Sequence, residues 1–233
     1  MKRMGISSHE ERAIIATSDN YTDTIPPLPM PGIDYYATIV NTLASRRADL
    51  DVALSQLEAR AMVLTEIAMR LVETLRNGHK VLLMGNGGSA AEAQHFAAEL
   101  VGRFKRNRAP YAVLALTTDT SILTAVANDY GYQDVFARQV YAFGQPDDLL
   151  IAFSTSGESE NLLCAASAGR QCSMTVVAIT GDRHSSLEHL ADITLRVPVL
   201  DTAIAQELHM IVTHTLCDIV ETQLSNCEGE ENS

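Results

Sequence analysis

The strongest indication of the fold is VLLMGNGGSAAEAQHF at residues 81–96. An apolar run is followed by a turn rich in glycine, and then by a segment typical of an α-helix. A short apolar run indicates a strand that is buried on both faces. The glycines let the chain turn sharply from this strand into the helix. Ser89 and Glu92 fit a capping box, which predicts that the helix begins there.

The same pattern of a short apolar run followed by a helical segment continues from this stretch towards the C-terminus. Short apolar runs, separated by segments of helical length, occupy residues 80–84, 111–116, 148–153, 174–180 and 192–197. Alternation of such runs with helices is typical of a parallel sheet that is covered on both faces. The sequence therefore predicts an α/β fold with five strands in βα units, closed by a last helix over residues 203–224.

The region before the first strand divides into two parts. Residues 33–76 have apolar residues at intervals of three, four and seven, which predicts helices, and Asn77-Gly78 predicts where they end. Residues 1–32 are polar and finish in a stretch with four prolines, which predicts a disordered extension or linker. We therefore expect one domain over residues 33–228, preceded by this extension.

Composition narrows the class of protein. The net charge is −12, from 17 basic and 29 acidic residues, and this argues against a nucleic-acid partner. No apolar run of about 18 residues is present, and the polar N-terminus does not resemble a signal peptide, so no membrane partner is expected. Four cysteines without CxxC spacing are typical of reduced thiols. These features predict a cytoplasmic protein.

Two loops at predicted strand ends have the composition of anion-binding sites. Residues 85–89 bring glycine N–H groups to the start of a helix, whose partial positive charge favours an anion. Residues 154–159 supply four hydroxyl groups, which suit a small phosphate ester: Ser154, Thr155, Ser156 and Ser159. Ligands of open α/β sheets bind at such strand ends. Each loop alone is also typical of a tight turn without a ligand, or of a serine that only caps a helix.

Two helical segments carry potential metal ligands. His95 and Glu99 are four residues apart and project from one face of the helix after the glycine loop. Gln206 and His214 on the last helix are eight residues apart, which separates them by about 80° and about 12 Å. Together they make a plausible Zn²⁺ site if the helices cross between them. The alternative is a surface ion pair between His95 and Glu99, and His209 shows that the last helix carries histidine without obvious purpose.

Longer motifs resemble a known family. GNGGSAAEAQHFAAELVGRF at residues 85–104 is similar to the signature of the phosphoheptose isomerases (sedoheptulose 7-phosphate isomerases), which belong to the sugar-isomerase (SIS) domain group. The likeness covers about residues 35–225 and continues at further positions: Asp119, ANDYG at 127–131, residues 154–159, Thr180-Gly181, QELH at 206–209 and His214. It implies a three-layer, flavodoxin-like fold around a five-stranded parallel sheet, preceded by N-terminal helices.

The resemblance also implies roles for the site residues. Glu99 would be the general base and His214 the general acid, in proton transfer between C1 and C2 of sedoheptulose 7-phosphate through an enediol. One zinc ion per subunit would be held by His95, Glu99, Gln206 and His214. The substrate would be bound by Asn86, Gly87, Gly88, Ser89, Arg103, Asp119, Ser154, Thr155, Ser156, Ser159 and Gln206.

The product implied by the resemblance is D-glycero-D-manno-heptose 7-phosphate, made in the first step of nucleotide-activated heptose biosynthesis, a route to lipopolysaccharide. Family members are homotetramers whose N-terminal helices pack between subunits. One departure concerns Ile204, which stands where the family usually carries an arginine. Two other functions stay open: a non-catalytic tetramer that binds the replication initiator DnaA, and a sugar-phosphate sensor.

Overall fold

The structure, a computed structural model, describes residues 32–230, with side chains up to residue 225. The described residues fall into two units, which divide between Ala44 and Ser45, inside the first helix. In the first unit that helix starts after Asp34, whose carboxylate accepts a hydrogen bond from the N–H of Ala37 at 3.0 Å. The predicted extension at residues 1–32 lies, except for Gly32, outside the described residues.

The described residues form helices on both sides of five short strands. The helices are α1 (Tyr35–Glu58), α2 (Ala61–Arg76), α3 (Gly88–Val101), α4 (Thr120–Asp129), α5 (Ala137–Phe143), α6 (Glu160–Gln171), α7 (Ser186–Leu190) and α8 (Thr202–Glu230). The strands are β1 (Val81–Gly85), β2 (Val113–Ala115), β3 (Leu149–Ser154), β4 (Thr175–Thr180) and β5 (Ile193–Arg196). The five predicted strands are confirmed, and their bounds differ by one or two residues. The N-terminal region that the sequence predicted to be helical forms two helices, α1 and α2, as expected.

All five strands are parallel, in the order β2-β1-β3-β4-β5. The order reverses between β1 and β3, and such a switch point opens a crevice at the carboxyl ends of the strands. Gly85 at the end of β1 pairs with Phe153 near the end of β3. The loops that follow these two strands therefore start side by side.

Alternate residues of the central strands enter two separate cores. Leu83 and Ile151 pack on the side that contains α2, α3 and α8. Leu82 and Leu150 pack on the side that contains α5, α6 and α7. A parallel sheet needs apolar residues on both faces, which explains why the strands read as continuous apolar runs. The predicted three-layer α/β fold is confirmed.

Helices α3 and α8 lie side by side and run in the same direction. Their contacts join residues whose numbers differ by 117 to 119: Glu92 with His209, His95 with His214, and Phe104, just after α3, with Glu221. The residue numbers rise together along both helices, so the packing is parallel. This register brings His95 and His214 to the same level.

The predicted capping box at Ser89 and Glu92 is wrong. Helix α3 begins at Gly88, and its N-cap, Gly87, has a positive φ of 55° and no side-chain capping bond. Both Ser89 and Glu92 are buried. Glu92 is drawn away from the helix end by His209, which lies 3.2 Å from its carboxylate.

Within the described residues, no helix has the length and apolar character needed to cross a membrane.

Candidate functional site

Three of the predicted metal ligands meet between α3 and α8. Nε2 of His95 lies 2.9 Å from Nε2 of His214, and 3.4 Å from Oε1 of Glu99. One ligand atom from each of the three residues lies within 4.8 Å of the others. The side chains of His95 and Glu99 are 38% and 22% exposed, so a small molecule can reach them. The open alternative of an isolated His95–Glu99 surface pair is thereby replaced by a three-residue cluster.

The cluster has the chemistry of a metal site. Two imidazole nitrogens that face each other can share one proton, or can both offer lone pairs to a cation. A carboxylate oxygen completes a nitrogen and oxygen donor set that suits zinc. The residues present therefore fit the divalent ion that the sequence motif implies.

Gln206, the fourth predicted ligand, lies near the start of α3. Its amide packs against Gly88, and a β-carbon at that position would require the amide to shift. Gly88 precedes His95 by two helical turns, or about 10 Å along the helix. The glycine leaves room for this amide, and the role of Gln206 as a metal ligand stays a prediction.

Asn86 of the glycine loop forms a reciprocal amide pair with Asn161 at the start of α6. The two side chains donate to each other at 2.8 and 2.9 Å. The hydroxyl of Tyr132 donates to Oδ1 of Asn86 at 3.0 Å. This network connects the glycine loop (residues 85–89) to α6, the helix that follows the hydroxyl loop (residues 154–159). It leaves one N–H of Asn86 for a ligand.

The hydroxyl loop turns tightly beyond β3. Oγ of Ser154, a buried residue, accepts a hydrogen bond from the N–H of Gly157 at 2.9 Å. Ser156 is exposed, Thr155 and Ser159 are half-buried, and Ser159 precedes the first residue of α6. Three of the four predicted hydroxyl residues are therefore at least partly accessible beside the glycine loop. Their role in phosphate binding stays a prediction.

Glu158 in the same loop carries a negative charge. Hydrogen bonds from the hydroxyl and the backbone N–H of Ser186 lower the pKa of this exposed glutamate. Its carboxylate is directed to the start of α7, with 2.8 Å between Oε1 and the N of Ser186.

Two predicted sugar-site residues occupy exposed positions. Asp119 is the N-cap of α4, where its carboxylate accepts from the N–H of Ile122 at 2.9 Å. Arg103 lies just beyond α3, beside Phe104. The capping bond gives Asp119 a structural role at the start of α4. The substrate-binding roles of Asp119 and Arg103 stay predictions.

Three residues near the site were not singled out from the sequence, namely Asn161, Tyr132 and Phe104, and His209 was noted without a purpose. Asn161 and Tyr132 belong to the amide network, and a sequence signal for them is weak because polar residues are common at helix starts. His209 is buried completely and pairs with Glu92, so it has the partner that the sequence did not reveal. Phe104 stacks on the ring of His214, with 5.4 Å between the ring centroids and 18° between the planes.

Comparison with known proteins places this arrangement in a family. Residues 47–181 match the model of the SIS domain family. The phosphoheptose isomerase of Roseiflexus sp. (strain RS-1) is 51% identical over 177 residues, which cover 76% of this chain and 90% of the relative.

Solved structures show the same relationship. The phosphoheptose isomerase from Francisella tularensis superimposes with a TM-score of 0.73 and 36% identity, covering 82% of this chain and 100% of that one. Phosphoheptose isomerase GmhA from Neisseria gonorrhoeae gives a TM-score of 0.74 and 38% identity, covering 79% and 99%. The family match, the close relatives and the parallel sheet agree, and the chain belongs to the SIS domain family.

Proposed function

We propose that the protein is an aldose–ketose isomerase that converts sedoheptulose 7-phosphate into D-glycero-D-manno-heptose 7-phosphate through an enediol. The observation that carries this proposal is the meeting of His95, Glu99 and His214 across α3 and α8. Relatives named phosphoheptose isomerase, at about half identity over most of their length, support the same activity.

The reaction requires a proton to leave one carbon and another to arrive at its neighbour. Glu99 is the carboxylate available as general base, and His214 is the imidazole available as general acid. The two groups belong to one cluster, in which ligand atoms are within 4.8 Å of each other. This spacing suits two adjacent carbons of one sugar. Partial burial strengthens electrostatic interactions with the developing negative charge.

His95, Glu99 and His214 are the residues that would hold a divalent metal ion, with Gln206 as a predicted fourth ligand. When bound, Zn²⁺ acts as a Lewis acid that polarises the substrate oxygens. Ligation and proton removal both draw on the carboxylate of Glu99, whose two oxygens can divide these tasks.

The loops at the ends of β1 and β3 are suited to orient the substrate. The N–H groups at the start of α3 favour an anion, and Ser89, Thr155, Ser156 and Ser159 can donate hydroxyl hydrogens to phosphate. Arg103 and Asp119 would then contact the sugar hydroxyls. Binding the phosphate at one end fixes the distance of C1 and C2 from the acid and base.

We also propose that the protein is a cytoplasmic homotetramer that supplies heptose for lipopolysaccharide. Support for assembly comes from exposed apolar side chains in each unit. In the first unit, Tyr36 and Leu43 are 79% and 65% exposed, and in the second unit, Met62 and Met69 are 80% and 66% exposed. Large apolar residues of this kind commonly mark interfaces. Sedimentation of the full chain tests the tetramer.

The function is tested by metal analysis together with an isomerisation assay. Purified protein is depleted of metal, reloaded with Zn²⁺, and mixed with sedoheptulose 7-phosphate while the aldose signal is followed by NMR. We expect one zinc per subunit and aldose formation only after reloading. Fructose 6-phosphate, one carbon shorter, serves as the control substrate.

The same assay separates the alternatives. A DnaA-binding tetramer would contain no stoichiometric zinc and would leave the ketose unchanged. A sensor would bind the sugar phosphate without converting it. Either result would contradict the isomerase proposal.

A further inference from the structure

Glu221 on α8 is a carboxylate that is fully removed from solvent. Its oxygens accept hydrogen bonds from the backbone N–H groups of Phe104, Lys105 and Arg106 at 2.8, 2.8 and 2.9 Å. The guanidinium of Arg108, 1% exposed, lies 3.1 Å from Oε1. A buried charge persists only when it is paired and hydrogen-bonded in this way. Glu221 therefore fixes the segment that follows α3.

Arg108 extends this arrangement to the end of α3. Its guanidinium donates to the carbonyl oxygens of Glu99, Leu100 and Gly102 at 2.9, 2.8 and 3.1 Å. The last carbonyls of a helix lack partners within the helix. Arg108 satisfies them at the residue that carries the proposed general base.

Phe104 connects Glu221 to the other proposed catalytic group. Its N–H donates to Glu221, and its ring stacks on the imidazole of His214. Glu221 follows His214 by seven residues, so the two side chains lie on the same face of α8. One buried carboxylate thus fixes both the aromatic ring beside His214 and, through Arg108, the backbone of Glu99.

Charge on Glu221 is maintained at neutral pH. Burial by itself raises the pKa of this carboxyl group. The three backbone hydrogen bonds and the positive charge of Arg108 outweigh burial, so that the pKa is lowered.

We propose that Glu221 and Arg108 are positioning residues that hold Glu99 and His214 in register for catalysis and metal binding. This inference rests on the proposed function for its catalytic part. A buried pair that only stabilised the fold would affect unfolding, but the folded protein would keep its turnover and metal affinity.

The first test compares Glu221→Gln with Asp218→Asn. Asp218 lies on the same helix and pairs with Lys105 of the same segment at 3.0 Å, but this pair is exposed. We expect Glu221→Gln to lower kcat about 10- to 100-fold and to weaken metal binding about tenfold, with a smaller change in KM. Asp218→Asn should change none of these. Metal affinity is measured by titrating metal-free protein with Co²⁺ and following its visible absorption.

Phe104→Leu is the second variant, for the case that Glu221→Gln disturbs folding. It keeps the backbone donor to Glu221 and removes only the ring beside His214. A fall in kcat and in Co²⁺ affinity supports positioning. Unchanged values for both Phe104→Leu and folded Glu221→Gln would overturn it.

The wild-type protein separates the two proposals. Active wild type with unaffected variants contradicts only the positioning role. An inactive wild-type protein contradicts the proposed isomerase function. In that case the affinity for Co²⁺ tests the positioning role alone. Weaker Co²⁺ binding by the variants supports that role, and binding equal to that of the wild type overturns it.

Discussion

The helix pair on one face of the sheet differs in character from the helix pair on the other. Between α3 and α8, the buried side chains include Glu92, His209 and Glu221. Between α5 and α6, the buried side chains are chiefly small and apolar, among them Val140, Ala165 and Ala166. Buried polar groups cost free energy unless they are bonded, so their concentration on one face indicates function rather than stability.

The α3–α8 interface also contains polar atoms that lack hydrogen bonds. Among the described residues, Oε1 of Glu92 and Nε2 of His209 are buried without a partner. On the other face, the amide of buried Gln139 donates to the carbonyls of Leu116 and Val135 at 3.0 and 2.8 Å. The comparison teaches that the α3–α8 face retains features that a purely stable core would remove. Mutations on the two faces should therefore have different consequences.

The largest effect is expected for Glu99→Gln on the polar face. Loss of the general base should lower kcat about 10³- to 10⁴-fold, while sugar-phosphate binding stays measurable by calorimetry. Glu73→Gln, which changes an exposed carboxylate paired with Arg70, is the matched control. Near wild-type turnover of Glu99→Gln would remove this residue from the base role.

His214→Ala should have the next largest effect. It removes one ring of the facing imidazole pair, and we expect loss of bound zinc and a fall in kcat of about 10²-fold or more. Metal analysis and steady-state kinetics measure the two losses. His184→Ala, with a side chain that is 84% exposed, should retain both. Full zinc occupancy of His214→Ala would contradict the ligand assignment.

Leu150→Ala tests the apolar face. Leu150 is fully buried on the α5–α6 side, so the truncation should lower the free energy of unfolding by about 2–5 kcal/mol. The folded fraction should keep the kcat of the wild type, because no site residue is touched. Urea unfolding measures the loss of stability, and steady-state kinetics at low temperature compare the kcat of the variant with that of the wild type. A kcat that falls as far as for His214→Ala would show that the two faces are not separate.

The smallest expected effect is a change in the free energy of unfolding at acidic pH, and it depends on the ionisation of Glu221. Because its pKa is lowered in the folded state, its ionised form stabilises the protein above the ordinary glutamate pKa of about 4.3. This stabilisation is lost as the pH falls through the lowered pKa. The difference in unfolding free energy between wild type and Glu221→Gln should therefore shrink below about pH 4. A difference that stays constant with pH would contradict the lowered pKa.

Much of the fold was predictable because its signals are local. The apolar run and glycine turn at residues 81–89 specify a strand and the start of a helix wherever they occur. Helices over residues 33–76 were predicted, but not the position of the break between α1 and α2, because apolar spacing continues through it. The capping box failed because a buried partner on α8 competes for Glu92.

Site residues were predictable in type but not in arrangement. Spacing placed His95 and Glu99 on one helix face, and it made His214 on the last helix a candidate partner only if the two helices cross. Their contact depends on the parallel register of α3 and α8, which no local pattern reveals. Phe104 and Arg108 gave no sequence signal, because their roles depend on Glu221 more than 100 residues away.

Local sequence patterns specify the alternation of strands and helices, the two loops at strand ends, and the residue types available for acid, base and metal chemistry. Which of those residues meet depends on the packing of the folded chain, because α3 and α8 are brought together on one face of the sheet. Local periodicity fixes the face on which a side chain lies. The level at which two distant helices align depends on contacts between segments that are remote in the chain.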